Sequence, residues 1–153
     1  MNYWLMKSEP STFGIDNLAK ARNRTTGWDG VRNFQARNYL RAMNKGDEAF
    51  FYHSSCEVPG IAGIVAVHRA AYPDPTAFDP KDDHYDADSD PDNPRWFMVD
   101  VKLVKRFDRV ITLDELRRHA NGKLKDMIVL KRGNRLSITP VTSSEWSFIT
   151  ALE

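Results

Sequence analysis

The chain has 153 residues, 41% of them hydrophobic and 28% charged, which suits one globular domain spanning 1–153 with a real core. A lone cysteine, Cys56, excludes an internal disulfide, and no apolar stretch nears the ~20 residues that a membrane span needs. The net charge of +1 hides segregation: residues 74–92 hold eight Asp and one Lys, while 95–135 carry twelve Lys or Arg against five Asp or Glu.

In chain order, Tyr3, Leu5 and Lys7 alternate with Trp4, Met6 and Ser8, which predicts a strand over 3–8, stopped at Pro10. Residues 15–21 read as a short helix with Ile15, Leu18 and Ala19 inward. "GWDGVRN" (27–33) reads as a loop, because Gly27 and Gly30 flank Trp28. Ala36, Tyr39, Leu40 and Met43 recur at helical spacing, which predicts a helix over 34–43. A Gly46-Asp47 turn leads into a strand over about 48–54, and 60–68 is a second, nearly all-apolar strand. The Asp- and Pro-rich run 73–94 is expected to be a long mobile loop. Residues 95–107 make the strongest strand, with Phe97, Val99, Val101 and Leu103 on one face. Thr112/Glu115 and Thr142/Glu145 are capping-box pairs that open two helices. Leu124, Met127 and Ile128 suggest a further short helix, and 135–141 a last strand ended by Pro140. Strands and short helices at irregular spacing indicate an α+β domain with a partly closed sheet or small barrel.

The familiar catalytic and metal signatures fail. Asp86, Asp88 and Asp90 match the start of an EF-hand loop, but Pro91 stands where Gly is required and Phe97 where Glu is required. His53 and Cys56 lack the further ligands of a zinc site. There is no phosphate-binding glycine loop, so neither a metal nor a cofactor is expected.

What remains is four segments that mix polar and aromatic residues at strand ends and loops, where sites usually sit. "KSEP" carries Lys7 and Ser8. "WDGVRN" carries Trp28, Val31, Arg32 and Asn33. "FYHSS" carries Tyr52, His53 and Ser54. "KRGNRLS" carries Arg132, Asn134, Arg135 and Ser137. Taken singly, each segment reads as core or solvated surface.

Together, "YWLMKSEPSTF", "WDGVRNFQARN", "FFYHSS", "PGIAGIV", "DNPRWFMVDV" and "LKRGNRLSITPV" make the chain resemble the EVE domain family of the PUA-like superfamily over nearly its whole length. The resemblance implies a small β-barrel of five or six strands ringed by short helices. It also implies a non-catalytic pocket for a modified base, a 5-substituted cytosine, in DNA or RNA. On that reading Trp28 is a stacking wall whose loss leaves the fold intact, with Trp96 a second wall. Asn33 reads the cytosine edge, while Lys7, Ser8, His53 and Ser54 complete the polar rim. Arg132 and Arg135 meet flanking phosphates. Trp4 and Trp146 go to the core or to a helix contact.

The alternative is a hydrolase acting on a modified base or nucleoside, as in ASCH-like amidohydrolases, with Lys7, Ser8 and Glu9 as its chemical groups. Strand alternation disfavours it, since Ser8 points away from its two neighbours. A monomer is expected, in the cytoplasm or in a eukaryotic nucleus, with no membrane contact and with protein partners unspecified.

Overall fold

Alternation along two adjacent strands, β1 (Tyr3–Ser8) and β3 (Glu48–His53), divides the core in two. Trp4, Met6, Ala49 and Phe51 join an apolar layer on one face of the sheet, and Leu5, Phe50 and Tyr52 join a layer on the other. The computed structural model describes all residues, 1–153. The remaining strands are β2 (Thr25–Trp28), β4 (Gly60–Pro73), β5 (Phe97–Thr112) and β6 (Ile138–Val141). They form one six-stranded sheet in the order β2-β5-β4-β3-β1-β6. β1 runs parallel to β3, and every other ladder is antiparallel. The expected α+β architecture is present. The small barrel, however, is left open, because β2 and β6 are separate edges with no ladder between them.

Helices α1 (Pro10–Phe13), α2 (Ile15–Lys20) and α3 (Phe34–Ala42) cover the first layer, contributing Ile15, Leu18, Ala36 and Leu40. Helices α4 (Leu113–Arg117) and α5 (Ser143–Thr150) cover the second with Leu116, Trp146 and Ile149. Trp146 stacks on Phe50 with ring centroids 4.0 Å apart, and Trp4 donates from Nε1 to buried Asp47 at 3.2 Å. Both tryptophans are therefore core residues, as expected.

The Thr142/Glu145 box closes with both bonds, Glu145 N to Thr142 Oγ at 3.1 Å and Thr142 N to Glu145 Oε1 at 2.9 Å. At α4 only the Thr112 half forms, because the Glu115 carboxylate accepts the Arg109 guanidinium instead.

One expectation is corrected and one is refined. Trp28 is not in a loop. It ends β2, an edge strand of four residues whose glycine masks it in sequence, and it is 8% exposed with its ring edge-on to Phe51 at 5.4 Å. The acidic run is a loop, as expected, but one with internal structure and anchors. Asp74, Asp79, Asp82, Asp86 and Asp90 each accept the backbone N–H two residues on, at 2.8–3.0 Å, which makes the run a chain of Asx turns. Asp86 also accepts Trp96 Nε1 at 2.7 Å, tying the run to the body of the domain.

Candidate functional site

The carboxyl end of β1 lies between two hollows. Ser8 follows Trp4 and Met6 toward the first apolar layer, while Lys7 lies beside Tyr52, its partner in the parallel ladder. The larger hollow, about 730 Å³, is walled by the end of β1 and α1 (Lys7, Ser8, Glu9, Thr12, Phe13) and by 26–32, including Trp28, Asp29, Val31 and Arg32. Asp83 and His84 of the acidic run, and Ser137, complete it.

The shape of 28–32 follows from one buried carboxylate. Asp74, with a fully buried side chain, accepts Gly30 N at 2.8 Å and Arg32 Nη1 at 3.1 Å on one oxygen. Its other oxygen takes Thr76 N at 2.9 Å and Thr76 Oγ at 2.6 Å. Burial alone would raise its pKa. The bonds from Thr76, Gly30 and Arg32 outweigh burial and hold it below the usual carboxylate range. Gly30 is required here, because its φ of +79° is left-handed and a Cβ would lie 2.6 Å from the His84 ring. Arg32 reaches on to His84 O at 2.9 Å and Thr76 Oγ at 3.0 Å, so it clamps the acidic run over the hollow.

The hollow is polar at its rim. Lys7 is half-buried, and burial lowers its pKa. Burial, then the nearby charge of Asp74, raises Asp29, with His84 pulling the other way. The indole N–H of Trp28 has no acceptor within the protein. Since no buried polar side-chain atom lacks a partner, that N–H reaches the open space. Trp28 is thus a core residue with one polar edge at the site.

The strand end also brings Lys7, Ser8 and Glu9 onto one wall, which simple alternation does not anticipate, because the chain leaves β1 at Ser8 and turns into α1 at Pro10. Ser8 Oγ donates to Phe13 O at 2.6 Å, so its proton faces a carbonyl and no base.

Other expected site residues lie elsewhere. Tyr52, Ser54, Asn134 and Arg135 line a second, adjoining cleft that shares Lys7 and Ser137 with the first hollow. Asn33 lines neither cavity: as the N-cap of α3 its Oδ1 accepts Ala36 N at 3.0 Å. Trp96 stacks on Phe34 at 4.9 Å and carries the Arg32 guanidinium 5.5 Å from its ring. Arg132 is exposed in the turn before β6.

His53 supports the first turn of α2, accepting Ile15 N on Nε2 at 3.1 Å. Burial lowers its pKa below 6.5, against the pull of Asp16. A lowered folded value means that this stabilisation is complete above about pH 6.5 and fades as pH falls through the folded pKa. Melting curves from pH 7.5 to 5 are expected to show a decline in Tm that is shallower in His53→Gln, which has no proton to take up.

A family model for the EVE domain matches residues 2–152. The chain belongs to the EVE domain family. This EVE domain is 48% identical to thymocyte nuclear protein 1 of Gallus gallus over 99% of its own length and 68% of the relative's. Among solved structures it is similar to a Pseudomonas putida protein, with 52% identity, a TM-score of 0.93 and 98% of each chain covered. It is also similar to the human THYN1 protein in complex with 5-methylcytosine-containing DNA. That match has 47% identity and a TM-score of 0.95 over 99% of this chain and 97% of the other. The EVE resemblance read from the motifs therefore holds over the whole chain. Sequence reasoning passed over Asp29, Gly30, Asp83 and His84 as parts of the site. The available signals were Gly30 within the conspicuous 27–33 segment and the density of turn-forming Asp around Asp83 and His84.

Proposed function

We propose that this EVE domain is a non-catalytic reader of 5-methylcytosine in DNA, holding the everted base in the hollow beside Trp28. The observation that carries the reading is the composition of that hollow. Trp28 and Val31 give the hollow an apolar part, and each of its two walls pairs a donor with a carboxylate, Lys7 with Glu9 at the end of β1 and Trp28 with Asp29 across from them. Cytosine needs an acceptor for its amino group and donors for its N3 and O2. Asp29 and Glu9 supply carboxylates for the first, and Lys7 and the Trp28 N–H supply donors for the second. The methyl group adds burial of one carbon, about 0.8 kcal/mol or roughly fourfold in affinity. The human THYN1 protein in complex with 5-methylcytosine-containing DNA supports the choice of base and of DNA over RNA.

The basic half contributes less long-range charge than its composition suggests. Lys105, Arg106 and Arg109 on β5 pair with Glu153, Asp16 and Glu115 at 2.9, 2.7 and 2.6 Å. The cations of the 131–135 turn, Arg132 and Arg135, are the proposed backbone contacts.

The test is fluorescence anisotropy with duplexes carrying one 5-methylcytosine, one unmodified cytosine, or the matching RNA. The methylated duplex is expected to bind at least threefold more tightly than the unmodified duplex and more tightly than the RNA. Its log affinity is expected to fall with log salt by ~0.9 per phosphate contact. Equal affinities for methylated and unmodified duplexes overturn the reading.

A further inference from the structure

The second cleft, about 610 Å³, lies across the end of β1 from the first. Lys7, Glu9 and Ser137 line both, so the two spaces adjoin around the strand end. Its polar lining is rich in donors. Tyr52 is 3% exposed, yet its hydroxyl has no hydrogen-bond partner in the protein. Because no buried polar side-chain atom is unpartnered, that hydroxyl reaches the open cleft. Burial raises the Tyr52 pKa, which keeps the group a neutral O–H donor. Asn134 spends its Oδ1 on Leu136 N at 3.0 Å and has its amide N–H groups left. Lys7 and Arg135 enter no ion pair, in contrast to Lys105, Arg106 and Arg109. Glu9 is the one carboxylate, and it is exposed to solvent screening.

Resting on the base-reading proposal, we propose that this cleft is a phosphate subsite: it receives the phosphodiester attached to the everted nucleotide, with Tyr52 Oη donating to a phosphate oxygen between Lys7 and Arg135. A phosphodiester presents acceptors and negative charge and no donor, which complements this lining. The apolar part of the lining is Tyr52, Cys56, Pro59 and Leu113, and the Tyr52 ring itself is buried, which leaves its hydroxyl and the cations as the groups that face a ligand. The phosphate of a nucleotide is tethered to its own base through one sugar, so a base pocket and its phosphate subsite must adjoin, as these two do at Lys7, Glu9 and Ser137.

The test is calorimetric titration of the whole chain with 5-methyl-2′-deoxycytidine, with its 5′- and 3′-monophosphates, and with the unmethylated nucleoside. At least one monophosphate is expected to bind tenfold or more tightly than the nucleoside. Tyr52→Phe and Arg135→Gln, which preserve the buried ring and alter an exposed side chain respectively, are each expected to cut that gain to threefold or less. No gain with either monophosphate, or a gain that survives both substitutions, overturns the subsite. The methyl preference between the two nucleosides is read in the same titrations and reports on the base pocket alone. A phosphate gain without a methyl preference would uphold the cleft and count against the base reading.

Discussion

Trp28→Ala is expected to lower stability by about 3–5 kcal/mol, which for a chain of this size is roughly 6–20 °C in Tm. The indole is 8% exposed and belongs to the larger apolar layer with Phe51, Val99 and Val101, so its removal opens a cavity that the sheet cannot collapse to fill. Calorimetric melting at neutral pH checks this. A fall of less than about 3 °C would mean that Trp28 is held by the site and not by the core. Because the same residue presents its N–H to the hollow, loss of binding in Trp28→Ala is uninformative. Trp28→Phe, which keeps an apolar ring and deletes the donor, separates the two roles.

Asp74→Asn is expected to cost about 3 kcal/mol, at the lower end for breaking a buried pair because the Arg32 side chain keeps 21% of its exposure and can recruit water. The amide replaces one acceptor oxygen with an N–H₂ group. One pair of donors, Gly30 N with Arg32 Nη1 or Thr76 N with Thr76 Oγ, then faces another donor. The effect depends on pH with a definite sign. The carboxyl is held below its ordinary 3.8, so its contribution is complete above that value and is lost as pH falls through the folded pKa. Urea titrations at pH 7 and near pH 3 should show a large gap between wild type and variant at the first and a smaller one at the second. A gap that does not change with pH would contradict the role of the charge. Freed from Asp74, Gly30 and Arg32 no longer fix the rim, so the variant is also expected to bind methylated DNA more weakly.

Much of the fold is legible in the sequence because most elements have a local cause. The period of two in Tyr3–Ser8, the helical spacing of Ala36 and Leu40, and the Thr142/Glu145 box each act within a few residues. What escaped depends on contacts distant in the chain. β2 is four residues long and interrupted by Gly27, so the strand preference of Thr25, Thr26 and Trp28 shows only once they pair with 99–102 on β5. The site divides along the same line. Lys7, Ser8, Trp28, Val31 and Arg32 are conspicuous in their own segments and do meet at one hollow. Asn33, His53 and Trp96 are equally conspicuous, but each spends a polar atom on the fold, at Ala36 N, Ile15 N and Asp86, and none of the three lines the hollow. No spacing rule separates a polar group that holds the fold from one left open for a ligand. The acidic run hides its role for a related reason: nothing in its own residues shows that Asp74, 44 residues from Gly30, sets the position of that glycine.

The central claim is that the hollow between the end of β1 and residues 26–32 receives a methylated cytosine. The most direct measurement is a heteronuclear NMR titration of the labelled chain with a short duplex carrying one 5-methylcytosine, against the same duplex unmodified. With the methylated duplex, the Trp28 indole N–H and the backbone amides of Ser8, Gly30, Arg32 and His84 are expected to shift strongly, and with the unmodified duplex weakly at the same concentration. Identical shifts with both duplexes, or shifts confined to the 131–135 turn with the Trp28 indole unmoved, would contradict it.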